Sequence, residues 1–323
     1  APAQHEIALH YGEAREMADE VITFKMAVRT VAKRHGLHAT FMPKPRREVN
    51  GSAMHIHFSL FKNGKNIFVD PEDPSRLSEE AYYFIGGLLA HSREMTLITN
   101  PLVNSYKRLV PGFDAPTELT WTRNNQNSLV RIPRVNGADT RIELRSPDAA
   151  SNPYLVFAVC LAAGLDGIQK KIYPTKASNR SLSESDQKEQ GIENLPENLR
   201  EAITLFEDSS WMKEILGEAF CKQYAQAKRK EWLRYSQEIS DWEIEEILIK
   251  TSRFPVFWQF IGLYGEEYGV LNHRDEIDGR HTQNAAFLKM EDFDDFMDSG
   301  FYRTIFANTA AWLEELDRKQ MLP

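Results

Sequence analysis

Two short segments alternate polar and apolar residues so regularly that they constrain the fold before anything else in the chain does. Asn50 to Leu60 reads Asn-Gly-Ser-Ala-Met-His-Ile-His-Phe-Ser-Leu, and Arg141 to Arg145 reads Arg-Ile-Glu-Leu-Arg. Successive side chains of a strand point to opposite faces, so His55, His57 and Ser59 share one side while Met54, Ile56, Phe58 and Leu60 take the other. The same rule groups Arg141, Glu143 and Arg145 opposite Ile142 and Leu144. A strand that merely faces solvent has little need of two histidines with a serine, or two arginines around a glutamate. A face built for a metal ion and anions needs such sets.

Composition narrows the classes. A chain of 323 residues can bury a sizeable core as one large domain or two smaller ones. With 39 Lys+Arg against 47 Asp+Glu the net charge is −8, which argues against bulk electrostatic binding of nucleic acid, so any anion site is local. Cys160 and Cys221 lie in helix-like apolar contexts without metal-ligand spacing, and read as core thiols of a reducing compartment, by default the cytoplasm. Tyr154 to Ile168 is the most apolar stretch, but Asp166 interrupts it and it is too short for a membrane span. The chain opens Ala-Pro-Ala-Gln-His-Glu, with neither an initiator methionine nor a leader pattern, and reads as processed or excised.

Apolar spacing predicts a helix from about Glu13 to Arg34 with Gly36 as its stop, then strands at His38 to Met42 and Met54 to Phe61 and a turn at residues 62 to 65. A second helix starts at Ser78 and ends before Asn100-Pro101. Residues 104 to 147 read as strand and loop. Helices follow over Tyr154 to Lys171, Pro196 to Phe206, Trp211 to about Tyr235 and Ser240 to Ile249, with a polar linker from Ser178 to Gly191. The tail from Ser252 reads as a small helical appendage. Arg46-Arg47 and Lys170-Lys171 are short enough to be solvated faces, and Trp211, Tyr224, Trp232 and Trp242 read as core or interface positions.

Taken together, the marked segments resemble glutamine synthetase over about residues 1 to 250. The resemblance rests on Gln4-His-Glu6, the run Ala39 to Pro45, Asn50 to His57, Asn104 to Gly112, Arg131-Ile-Pro133, Arg141 to Arg145 and Asn152-Pro-Tyr-Leu155, in this order and spacing. It implies an α+β catalytic domain with a curved, mainly antiparallel sheet and flanking helices. The small N-terminal domain of the family, with three carboxylate ligands that precede Gln4 there, is missing from this stretch. Residues 251–323 have no counterpart in the resemblance and form an extension of unknown role.

The activity implied is an ATP-dependent ligase that phosphorylates the γ-carboxylate of glutamate and lets ammonia attack the acyl phosphate. Matching positions make Glu6 and His55 ligands of separate Mg²⁺ or Mn²⁺ ions, with Glu143 sharing the ion of His55. Asn50 and Gly51 match the loop at the amino-acid end of the substrate, and Arg108 and Arg145 the glutamate carboxylate contacts. His57, Ser59 and Arg141 match nucleotide contacts, and Arg131 an arginine at the transferred phosphoryl group. A lone histidine is otherwise a satisfied core residue, and a lone arginine a surface ion pair worth roughly 0 to 1 kcal/mol.

Asp114 stands where the family places a glutamate flap base, with one methylene less in reach. Gln126 replaces an arginine of the family and cannot neutralise phosphoryl charge. Ala53 replaces a glycine. These departures keep two alternatives open: a γ-glutamyl-amine ligase using an organic amine, and a non-catalytic binding paralogue. Turnover by this stretch alone is expected to fall short of the full protein, which in the family is a ring-shaped homo-oligomer.

Overall fold

The structure is a computed structural model in which residues 3–73, 75–123, 128–133, 137–178, 184–263, 268–290 and 299–321 are described. It divides into two compact units, Ala1–Ser236 and Gln237–Pro323.

In the first unit, α1 (Ala14–Arg34) ends at Gly36, whose φ of +69° suits a residue without a Cβ. Ala18 is its sole fully buried residue. By contrast α2 (Glu79–Thr99) is the unit's central element: the Ser78 hydroxyl accepts from the Ala81 amide, and Phe84, Ile85, Leu88, Leu97 and Ile98 are buried. It packs on α4 (Pro153–Lys170), which starts at Pro153 under an Asn152 side chain that accepts from the Tyr154 and Leu155 amides. The two helices meet backbone to backbone. A Cβ on Gly87 would stand 2.1 Å from the Ala163 carbonyl oxygen, and one on Gly167 would stand 2.1 Å from that of Tyr83.

The sheet has four strands in the order β1 (Ile56–Phe58), β6 (Ile142–Leu144), β5 (Ser128–Arg131) and β4 (Glu118–Thr122). The β1/β6 and β5/β6 ladders are antiparallel and β4/β5 is parallel, so the sheet is antiparallel in its main part. Ile56 faces Leu144, His57 faces Glu143, and Arg131 faces Glu143 from the other side. One face, with Ile56, Phe58, Ile142 and Leu144, closes on the helices, and the Phe58 ring lies 5.6 Å from that of Phe84. The other carries the charged residues. A small hairpin, β2 (Phe61–Lys62) with β3 (Lys65–Asn66), and the short helix α3 (Val103–Arg108) complete this side.

Around them lie α5 (Glu184–Gln190), α6 (Leu199–Asp208), α7 (Ser210–Leu216) and α8 (Glu218–Tyr235). The expected helix from Trp211 to Tyr235 is two helices, because Gly217 adopts φ +83° between them. The polar linker holds α5, and the expected strand at His38 to Met42 forms no ladder. Cys160 and Cys221 are buried free thiols, as expected. Trp242 is 53% exposed, which excludes the core alternative of the core-or-interface expectation.

The second unit begins before residue 250 and is not purely helical. Its elements are α9 (Asp241–Thr251), β7 (Trp258–Leu263), a 3₁₀ segment Gly269–Glu276, β8 (Ala285–Met290) and α10 (Ser299–Arg318). The two strands pair in parallel, and Leu248, Trp312 and Leu316 are buried in this unit. No helix among the described residues is long and apolar enough to cross a membrane.

Candidate active site

The charged face of the sheet is organised about Glu143, which is 0% exposed. His55 Nδ1 lies 3.2 Å from its Oε1, Arg145 Nη1 donates to Oε1 at 2.8 Å, and Arg131 Nε donates to Oε2 at 2.5 Å. Burial alone would raise the carboxyl pKa, but the His55 hydrogen bond and the Arg145 and Arg131 charges bring it down to about 2. An uncompensated carboxylate could not be held here. Burial lowers the pKa of His55 and keeps its ring neutral, the form that binds metals.

His57 and Arg141 form the exposed edge of the same face. Arg141 Nε donates to His57 Nδ1 at 3.1 Å, which leaves the proton of the neutral ring on Nε2. Ser59 Oγ donates to the Thr140 carbonyl at 3.1 Å, and Asn66 donates to the same oxygen at 2.7 Å. Ser59 thus braces the start of β6.

The Asn50-Gly51 loop is held from several sides. Gln4 Nε2 donates to the Gly51 carbonyl at 2.8 Å, and the Ser52 amide donates to that of Pro43 at 2.8 Å. A Cβ on Gly51 would stand 2.3 Å from the Pro43 oxygen and 2.8 Å from Arg108 Cγ, so no larger residue fits. Asn50 Nδ2 donates to Asp114 Oδ2 at 2.6 Å, and Asp114 has φ +51°. The flap residue and the loop are therefore in contact.

Arg108 is placed otherwise than a free carboxylate clamp. It is 2% exposed and donates to the carbonyls of Ser146, at 2.7 Å, and Arg145, at 2.9 Å. Burial lowers its pKa to about 10. Beneath it, buried Asp148 accepts from the Ala150 amide and from Asn100, both at 3.0 Å. Asp148 and Asn100 escaped the sequence reading because nothing in a Pro-Asp or Asn-Pro pair distinguishes such a support from a turn.

Glu6 lies in the exposed segment before α1. Among the described residues no group of three or more His, Cys, Asp or Glu is assembled to hold a metal ion. The His55–Glu143 pair nevertheless suits a shared divalent ion. Two ligands each about 2.1 Å from one octahedral ion lie about 3 Å apart, close to the 3.2 Å seen between Nδ1 and Oε1. Gln126 falls outside the described residues.

Residues 1–247 match the family described as "Glutamine synthetase, catalytic domain". This chain belongs to the glutamine synthetase family. The glutamine synthetase of Methanosarcina mazei is 50% identical over 251 residues, spanning 77% of this chain and 56% of the relative. That of Clostridium saccharobutylicum is 49% identical over 253 residues, covering 57% of its length. The chain thus spans little more than half of these relatives. Among solved structures, "Apo GmaS without ligand" superposes with TM-score 0.63 at 40% identity over 72% of this chain and 53% of that one. "GmaS/ADP complex-Conformation 1" gives TM-score 0.64 at 40% identity, covering 72% of this chain and 54% of that one. Residues 232–322 match a second family, described as "vWA found in TerF C terminus". The glutamine synthetase match runs through the whole first unit and so includes every candidate site residue.

Proposed function

We propose that this chain carries the glutamate- and nucleotide-binding wall of an ATP-dependent ligase that makes glutamine from glutamate and ammonia through γ-glutamyl phosphate. The observation that carries the reading is the set His55, Arg131 and Arg145 converging on the buried Glu143 carboxylate. The ADP complex of the GmaS relative supports the nucleotide part. His55 and Glu143 would hold Mg²⁺ or Mn²⁺, with Glu6 serving a second ion; bound there, such an ion withdraws charge from phosphate oxygens.

The chain's own groups account for the rest. Arg131 reaches Glu143 through Nε, which leaves its terminal nitrogens to face a transferred phosphoryl group. His57 and Arg141 present donors at the nucleotide edge. Asn50, Gly51 and Arg145 receive the amino-acid end of glutamate, and Arg108 serves that end from beneath by fixing Gly51 and the backbone at 145 and 146. Asp114 is the candidate base for ammonium. ATP and glutamate would bind to a homo-oligomer in the cytoplasm, with no nucleic acid or membrane partner.

A second reading, an organic amine as acceptor, is favoured by Asp114. Its side chain is one methylene shorter than glutamate and is bonded to Asn50 Nδ2 at 2.6 Å, which changes the reach of the candidate base toward the acceptor nitrogen. ADP release by the full-length protein, measured with glutamate against ammonia, methylamine, ethylamine and a polyamine, separates these. Release that needs glutamate and is fastest with ammonia is expected. Fastest release with an alkylamine selects the second reading. Binding of ATP and a glutamate phosphinic analogue without release would make the chain a binding paralogue, and release without glutamate would overturn the reading.

A further inference from the structure

Lys44 belongs to the Met-Pro-Lys-Pro run, yet no catalytic or binding role has been attached to it. It is 7% exposed, and lysines are seldom buried unless their ammonium is paired. Its backbone is fixed by α3: the Lys44 amide donates to Asn104 Oδ1 at 2.7 Å, and Asn104 Nδ2 donates back to the Lys44 carbonyl at 3.0 Å. The side chain is thereby anchored on the helix that also carries Arg108.

From that anchor the ammonium reaches two places at once. Nζ donates to the Val49 carbonyl at 2.7 Å, immediately before Asn50, and lies 3.4 Å from the centre of the Phe113 ring. Phe113 precedes Asp114 on the flap, and Asp114 bonds Asn50. Two consecutive flap residues thus land on the same loop, one through Lys44 and one directly. Burial lowers the lysine pKa, which agrees with an ammonium whose water has been replaced by a carbonyl and an aromatic face.

The geometry points to Lys44 as a positioning residue that fastens the flap to the substrate loop. It sets the separation of Asp114 from the Asn50-Gly51 edge and touches no reacting atom itself. The assignment rests on reading Asn50 and Gly51 as the glutamate loop, but the latch is a property of the chain that can be measured without substrate. A mobile flap would move its base relative to the acceptor, and a displacement of about 1 Å is enough to slow a proton transfer strongly.

Chymotrypsin cleaves after aromatic residues that it can grasp, so the rate of cutting at Phe113 reads the latch. Tyr11, 91% exposed and remote in sequence, is an internal reference for the enzyme. Lys44→Met should speed cutting at Phe113 about thirtyfold, the size of a desolvated cation–π contact of about 2 kcal/mol, while cutting at Tyr11 is unchanged. Lys44→Arg, which keeps the charge and the donor, should restore the wild-type rate. Lys44→Gln, which keeps a donor for Val49 and loses the charge, should also release Phe113, and it decides the matter if the methionine variant does not fold.

Wild-type cutting at Phe113 in both uncharged variants would overturn the latch. Glutamate titration of the same proteins reads the site: Lys44→Met should weaken binding about tenfold and Lys44→Arg should rescue it. Failure of the wild type to bind glutamate would count against the functional reading while the cleavage result still judged the latch.

Discussion

Glu143 shows how a single carboxylate can organise a charged face. The alternation of Arg-Ile-Glu-Leu-Arg put it on one face with Arg141 and Arg145, and the register of the sheet adds His57 and Arg131 as its strand partners. Breaking a buried pair by removing one partner costs about 3 to 5 kcal/mol, because the remaining charges stay desolvated. Glu143→Gln should therefore destabilise the first unit by that amount in urea unfolding, and a loss below about 1 kcal/mol would mean that the cations disperse freely. The acid dependence has a definite sign. The carboxyl pKa falls from 4.5 to about 2 on folding, so its contribution is complete above pH 4.5 and fades as pH drops through about 2. The gap between wild type and Glu143→Gln should narrow over that window. What the sequence hid at this scale is direction. Arg108 and Ser59 were expected to face glutamate and nucleotide, yet both turn to backbone carbonyls, a choice set by tertiary neighbours.

Elements are joined in this fold by contacts that a periodic pattern only partly reveals. His91 on α2 bonds Glu94 through Nδ1 and Asp166 of α4 through Nε2, at 2.9 Å, and stacks on Trp211 of α7 with centroids 3.8 Å apart. Ser209 also bonds Glu94, and Lys170 lies 2.9 Å from Asp166. Two carboxylates on one ring call for the protonated form. Burial alone would lower the His91 pKa, but the Glu94 and Asp166 bonds outweigh it and raise the value above 6.5. The stabilisation is then present in full below pH 6.5 and lost as pH rises through the folded value. Replacing His91 by Gln should cost about 2 kcal/mol at pH 6 and little at pH 9 in parallel thermal melts. Gly167→Ala should cost about 1 to 3 kcal/mol by overpacking, since a methyl group meets the Tyr83 carbonyl. Helix starts at Ser78 and Ser240 were legible because caps are local, and so was the stop at Gly36. The strand expected at His38 to Met42 was not realised because alternation supplies a face and not a pairing partner, and ladder bonds come from elsewhere in the chain.

Across the whole molecule the candidate site lies in the first unit, while the second has its own buried residues and its own family match. Shortening the chain to residues 1–236 should remove the signal of α9 and α10 but leave a cooperative thermal melt and the metal response; loss of either would show that the site depends on residues beyond 236. The family match ends at residue 247, near the change of character at 250, while the compact units divide at 236 because α9, capped by Ser240, packs with the 3₁₀ segment through Asp241, whose Oδ1 accepts from the Val270 amide at 3.0 Å. The proposed ligase requires that the His55–Glu143 face hold a divalent ion next to glutamate and nucleotide. Titrating Mn²⁺ with the protein and following the free-ion paramagnetic resonance signal tests it directly. Depletion by the wild type and by Ser59→Ala, abolished in both His55→Ala and Glu143→Gln, is the predicted result. Equal depletion by all four proteins would contradict the account.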